Sequence, residues 1–226
     1  MTASDFLKHI PLFQHLTGED RERLAISIKS QYLKKGETLF RKGSEGNTLY
    51  IIRNGKVKIS LPSALGDEVV LVIFSEGDFF GEMALLDGRP RSADAVTIEP
   101  TELLLLNRND FISFLNNNKN AVQAVLQSLS QRLRRTDDLL EDTCFLQISE
   151  RFAKKLVELA LEHGRQEGDT IYIDMSLTQK DLASMVGATR ESINKELRVL
   201  REKGLVSTQE NTIRIHNLER LKRRAY

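Results

Sequence analysis

The chain predicts an α+β architecture in three successive parts. A short helical lead opens into a β sandwich or barrel, one long helix follows, and a helix-turn-helix with a two-stranded wing closes the sequence. Three observations carry this reading. The apolar period shifts from helical to two between about Gln31 and Asn107. A heptad pattern then runs unbroken through Lys119 to Cys144. From Leu177 to Val206 a short helical pattern, a Gly and a second helical pattern succeed one another.

A length of 226 residues accommodates one large domain or two ordinary ones. The net charge of +1 suggests no polyanionic partner by itself. Its distribution does: Ser176 to the end holds 11 Lys+Arg against 6 Asp+Glu, a surplus of +5, and leaves 22 against 26 in the remainder. A basic tail on an acidic body is the asymmetry of a segment that meets nucleic acid. The single cysteine, Cys144, makes no internal disulfide and cannot ligate an iron–sulfur cluster or a structural zinc alone. Met1 to Asp5 shows no basic or apolar leader, and the longest apolar run, Val69 to Phe74, is too short for a bilayer. The expectation is a cytoplasmic protein without a membrane partner.

In chain order, Phe6 to Leu16 carries helical apolar spacing interrupted by Pro11, and Thr17-Gly18-Glu19-Asp20 caps a second helix bearing Leu24, Ala25 and Ile28. The period-two region is punctuated by turn signals at Lys35-Gly36, Gly43 to Asn47, Asn54-Gly55, Ser63 to Asp67, Glu76 to Asp78 and Gly88 to Pro90. Asn54-Gly55, between Leu49–Ile52 and Val57–Ser60, reads as a hairpin. Val69 to Phe74 and Leu103 to Leu106 read as buried strands. So many short strands imply a sandwich or barrel. Asn109-Asp110 opens a helix that Asn116–Asn118 breaks.

In the long helix the seam positions are Val122, Leu126, Leu129, Leu133, Thr136, Leu140 and Thr143, spaced alternately by four and three. That spacing suits a two-helix coiled coil, with Thr136 as a polar register residue beside Asp137. The boundary with the last domain falls near Asp142 to Phe145. Ile148 starts an amphipathic helix through Leu161 that ends near Gly164, Gln166–Asp169 is a polar turn, and Ile171–Ile173 a short strand.

The stretch Gly81 to Ala93 concentrates the chemistry. Met83–Leu86 is one helical turn behind a glycine, and Gly81 admits a ligand close to the backbone. Free N–H groups at a helix start hold anions, and Arg91 adds a planar, permanently charged fork suited to phosphate. Glu82 would repel phosphate and calls for a donor such as a sugar hydroxyl. The plain alternative is a surface loop in which Glu82 and Arg91 pair with each other.

At the other end, Thr178-Gln179-Lys180-Asp181 is a capping signature for a helix with Leu182, Ala183 and Val186 inside. Gly187 allows the turn, and Thr189 caps a second helix, Arg190 to Lys203, with Ile193, Leu197 and Leu200 inward. Arg190, Glu191, Asn194, Lys195 and Arg198 face away. Arg190 can reach guanine O6 and N7 in a major groove, and Glu191 can accept from cytosine N4. Gln179, Lys180, Thr189 and Ser192 suit phosphates, and Thr178 is a further DNA-binding candidate. Strands at Leu205–Ser207 and Thr212–Ile215 flank a polar turn at Gln209–Asn211 as a two-stranded wing, and Leu218–Arg224 ends the chain as a basic helix. A generic helical hairpin with a solvated charged face is the alternative here.

Two stretches resemble one family in its order. Phe80-Gly81-Glu82 and Arg91-Ser92-Ala93 match the phosphate-binding cassette of the cyclic-nucleotide-binding domain. Val186-Gly187 and Thr189-Arg190-Glu191-Ser192 match the winged helix-turn-helix of the CRP/FNR, or cyclic-AMP receptor, family. The resemblance implies a cyclic-nucleotide-binding β jelly roll over residues 1–116, a dimerisation helix over 117–144 and a winged helix-turn-helix over 145–226. It implies cyclic AMP as effector, with no metal, in a homodimer that binds double-stranded DNA and RNA polymerase. By the same resemblance Glu82 takes the ribose 2′-hydroxyl, Arg91 and Ser92 the cyclic phosphate, and Gly81, Met83 and Ala84 contribute around the turn. Thr136 would bond the base of its own subunit's ligand. Asp137 stands where the best-known pattern has a Ser that reaches the partner's ligand, and Lys195 where an Arg is commoner, which removes bidentate geometry.

Other readings remain at this point. Within the family, cyclic di-GMP, cyclic GMP or no ligand at all are open, whereas a single Cys and only His9 and His15 in the sensory half disfavour iron–sulfur and haem. A cupin-type enzyme would need clustered His and carboxylate ligands, and His9, His15, His163 and His216 lie outside the barrel. A cyclic-nucleotide module of a kinase or channel would not need the basic tail.

Overall fold

The computed structural model describes residues 2–64, 66–173, 175, 177–209 and 212–225. Tertiary contacts divide the chain into two compact units. The first comprises Met1–Pro62 with Leu71–Arg134, and the second Ser63–Val70 with Arg135–Tyr226.

The first unit opens with α1 (Ala3–Leu7), capped by a reciprocal Thr2–Asp5 box, and α2 (Gly18–Ser27), whose Asp20 amide donates to Thr17 Oγ1 at 3.2 Å. The expected helical run through Leu16 stops at Leu7, and residues 8–15 run in turns around Pro11. Pro11 lacks the N–H a helix interior needs, yet Ile10, Leu12 and Phe13 are still buried.

Eight strands follow: β1 (Lys29–Leu33), β2 (Thr38–Phe40), β3 (Thr48–Asn54), β4 (Val57–Pro62), β5 (Glu68–Phe74), β6 (Phe79–Phe80), β7 (Asp94–Thr97) and β8 (Thr101–Asn107). They form two four-stranded sheets, ordered β1-β8-β3-β6 and β2-β7-β4-β5. The helix α3 (Glu82–Asp87) interrupts them, and α4 (Arg108–Asn117) follows with Asn107 as its cap. Two apolar clusters fill this unit. One gathers Leu49, Ile51, Leu104 and Leu106 with α1, α2, α4 and the start of the next helix. The other joins Ile52, Val57, Phe80, Ala95 and Leu103.

Two expectations are not met. Asn54-Gly55 does not close a hairpin: β3 pairs with β8 and β6, β4 pairs with β7, and the two strands belong to different sheets. Gly55 takes φ 96° for the corner, and a Cβ there would lie 2.5 Å from the Pro100 carbonyl oxygen. The turn signal was sound, but strand partners are set by which faces bury, not by sequence adjacency. Nor is β5 a fully buried strand, since only Val70 and Phe74 are buried along it.

The long helix is α5 (Lys119–Phe145). Ala121 and Val125 are buried on the first unit, and Ala124 and Leu129 pack against the same core. Its expected seam is otherwise open: Leu126 is 58% exposed, Leu133 63% and Leu140 64%.

The second unit holds α6 (Ile148–His163), β9 (Gly164–Glu167), β10 (Thr170–Ile173), α7 (Gln179–Val186), α8 (Arg190–Glu202), β11 (Val206–Gln209), β12 (Thr212–Ile215) and α9 (Leu218–Ala225). Its sheet runs β11-β12-β10-β9. The two-stranded wing is therefore one half of a four-stranded sheet: Ile213 and Ile215 of β12 register with Ile173 and Ile171. Part of the predicted Gln166–Asp169 turn is strand β9 in that sheet. Of the wing's predicted turn, Gln209 ends β11, while Glu210 and Asn211 lie outside the described residues. Phe152, Leu156, Leu182, Ile193, Leu197, Leu200 and Leu221 are all buried. Among the described residues no helix is long and apolar enough to cross a membrane.

Candidate functional site

The short helix α3 is set by two glycines in the left-handed region, Gly81 before it at φ 85° and Gly88 after it at φ 70°. Only a residue without a Cβ takes such angles at no cost. Gly81 has a second reason to be glycine, because a Cβ would lie 2.5 Å from Arg91 Nη1.

Arg91 is 5% exposed and points inward. Its Nη1 donates to the Gly81 carbonyl and its Nη2 to the Thr48 carbonyl, each at 2.7 Å. The guanidinium stacks over Phe40 at 4.3 Å and lies 5.6 Å from the Tyr50 ring. Burial pulls its pKa down, with Tyr50 and Glu82 opposing, and an arginine so placed stays charged at neutral pH. Burial likewise pushes the Tyr50 phenol up, so its ring meets the guanidinium uncharged. An arginine has five N–H donors, two are used here, and Nε is buried without a partner. The group is a fixed cation with donors to spare, as an anion site requires.

Glu82 does not pair with Arg91. It is 2% exposed, and its Oε1 accepts from Arg132 Nη1 at 2.7 Å, while Oε2 is buried with no partner. Arg132 also donates to the Phe79 carbonyl and lies 4.5 Å from the Phe74 ring centre. The half-satisfied carboxylate is an acceptor waiting for a donor, since a buried lone acceptor costs about 1–3 kcal/mol. Sequence reading passed over Arg132. The signal was there, one helical turn before Thr136 on the same helix.

The other predicted residues fall as follows. Ala84 is buried, Met83 is 47% exposed, and Ser92 is exposed with its hydroxyl 3.5 Å from Met83 Sδ. Gly46, not singled out in the sequence, closes the pocket wall: a Cβ there would lie 2.6 Å from Arg91 Nε and 2.8 Å from Ala84 Cβ. Thr136 and Asp137 are exposed on α5 within the second unit.

In the second unit Thr178 caps α7 through a reciprocal box with Asp181, Gly187 ends it at φ 62°, and Thr189 caps α8. Thr178, Lys180, Thr189, Arg190, Glu191 and Lys195 are exposed, and Gln179 and Ser192 are half-buried. Arg190 Nε lies 3.4 Å from Gln179 Oε1, which ties the start of α8 to that of α7. Asn194 departs from its expected outward position: it is half-buried and its Oδ1 is buried without a partner. It sits beside Ile193 and cannot leave the core edge that Ile193 fills.

Comparison with known proteins agrees with both halves. The cyclic nucleotide-binding domain family matches residues 30–118, and the Crp-like helix-turn-helix domain family matches residues 150–224. The CRP-like cAMP-activated global transcriptional regulator of Mycobacterium tuberculosis is 34% identical over 98% of this chain and 99% of its own. The cyclic AMP receptor protein of Thermus thermophilus is 30% identical over 97% and 99%. In fold, the c-di-GMP responsive global regulator CLP of Xanthomonas campestris superposes with a TM-score of 0.80 at 23% identity, covering 89% of this chain and all of that one. With a cyclic-nucleotide cassette in one unit, a capped helix-turn-helix in the other and relatives matched end to end, the chain belongs to the CRP/FNR family of transcription regulators.

Proposed function

We propose that the protein is a homodimeric, cyclic-AMP-gated regulator that binds a palindromic operator. Its sensing domain spans residues 1–116, its dimerisation helix 117–144 and its DNA-binding domain 145–226. The carrying observation is the buried, complementary pair on α3 and β7's approach: an acceptor on Glu82 with no donor, and donors on Arg91 with no acceptor. A cyclic nucleotide offers both missing partners, a ribose hydroxyl and an anionic phosphate. Gly81, Met83, Ala84 and Ser92 complete the turn around it.

Two relatives named for cyclic AMP, similar over nearly the whole chain, favour that nucleotide over the cyclic dinucleotide of the fold relative. The exposed leucines of α5 favour a second copy as their cover, because a row of apolar side chains in heptad register is a coiled-coil seam. Two α8 helices held by that seam would enter successive major grooves, with Arg190, Glu191 and Lys195 at base edges. Thr178, Gln179, Lys180, Thr189 and Ser192 would hold phosphates. Ligand drives this only through its differential affinity for the DNA-competent state. Isothermal titration with cyclic AMP, cyclic GMP and cyclic di-GMP, each followed by binding to an operator selected from random duplexes, tests the reading. Cyclic AMP should bind most tightly and raise operator affinity; no heat with any of the three, or a preference for the dinucleotide, overturns it.

A further inference from the structure

We infer that Arg132 has a second carboxylate partner, Asp137 of the opposite α5 in the dimer, so that the nucleotide pocket and the dimer seam share one guanidinium. This rests on the dimer proposed above. Leu126, Leu133 and Leu140 form one row of the seam, and Leu129, Thr136 and Thr143 the other. Arg132 immediately precedes a residue of the first row, and Asp137 immediately follows one of the second. In a parallel pair those two flanking positions face each other across the interface and carry the ion pairs that set register. Two-fold symmetry then produces the contact twice.

Three observations favour this pairing. Arg132 is already held at the flank of α5, with Nη1 on Glu82 Oε1 at 2.7 Å and its ring-stacked plane 23% exposed. Asp137 is exposed. The flank is also charge-complementary between copies, since Asp137 on one edge would meet Arg132 on the other. Asp137 would otherwise add an uncompensated negative charge to each helix near the axis; Arg132 neutralises it. The result is a row of hydroxyl donor, Glu82, Arg132 and the partner's Asp137. A ribose hydroxyl on Glu82 Oε2 takes up part of that carboxylate's charge, strengthens the hold of Arg132 on the partner's Asp137, and so reports pocket occupancy to the seam. By linkage, a ligand that tightens the dimer must itself bind the dimer more tightly.

The test is a double-mutant cycle on the full chain without nucleotide, with dimer dissociation read by sedimentation equilibrium at low and high salt. Asp137→Asn and Arg132→Gln should each weaken the dimer about fivefold at low salt, given two exposed-class pairs per dimer. The double variant should be no weaker than either single one, and the differences should shrink in high salt. Asp137→Lys, which sets two cations against each other, should weaken the dimer about tenfold or more, and decides alone if Arg132→Gln loses its fold. Additive single effects, or an Asp137→Lys dimer as tight as the unaltered one, overturn the pairing and leave the dimer standing. An unaltered chain that sediments as a monomer overturns the dimer and the pairing with it.

Discussion

Arg132 Nη1 meets Glu82 Oε1 at 2.7 Å across 50 residues of sequence, and leaves Glu82 Oε2 buried without a partner. A carboxylate so placed is held in one orientation by a cation and offers its second oxygen to a ligand. The hydroxyl that reaches it replaces no existing bond.

Discrimination for the ribose hydroxyl should therefore reside in Glu82. The unaltered protein is expected to bind cyclic AMP about tenfold more tightly than its 2′-deoxy analogue, the worth of satisfying one buried acceptor. In Glu82→Ala that preference should vanish. Competition binding with the two nucleotides measures it, and an undiminished preference would remove Glu82 from the ribose site.

Arg91→Ala should act twice. The Gly81 and Thr48 carbonyls lose their donors, which costs the first unit about 2–3 kcal/mol of stability. Nucleotide affinity should fall by about 100-fold, because the phosphate charge is then uncompensated. Denaturant unfolding and calorimetry separate the two effects; unchanged nucleotide affinity would refute the anion site.

Gly46→Ala tests whether the pocket wall is as tight as the distances say. A methyl 2.6 Å from Arg91 Nε and 2.8 Å from Ala84 Cβ must displace one of them. The expected cost is about 1–3 kcal/mol, with weakened nucleotide binding as Arg91 gives way. Gly66→Ala is no control for space alone, since Gly66 sits at φ 88°; Gly18→Ala, with open surroundings, should leave nucleotide binding unchanged.

Arg190→Ala should relax base preference without abolishing association. The proposed phosphate contacts of Thr178, Lys180 and Thr189 would persist, so weak, salt-sensitive binding is expected to remain while the cognate-to-scrambled ratio falls by about 10-fold or more. Titrations of both duplexes at two salt concentrations decide the matter. Retained discrimination would exclude Arg190 from base reading.

Much of this architecture is legible in the sequence. Caps and turns are local chemistry, so Thr17, Thr178 and Thr189 announced their helices, and Gly187 its turn. The bounds of α5 came out within a residue because heptad spacing is a property of one helix and its neighbours in sequence. The motif stretches around Glu82, Arg91 and Arg190 were visible for the same reason: each lies within a dozen residues.

What the tertiary structure alone decided is who meets whom at long range. The corner at Asn54-Gly55 looks like a hairpin in sequence, yet its strands join different sheets because β8 and β7 offer the partners that bury both faces. Glu82 and Arg91 carry opposite charges nine residues apart, yet each finds another partner, Arg132 and two backbone carbonyls. Sequence by itself determined which residues hold charge, turn and helical register; folding chose their partners, since a buried charge takes whichever neighbour compensates it in space, whatever its distance along the chain.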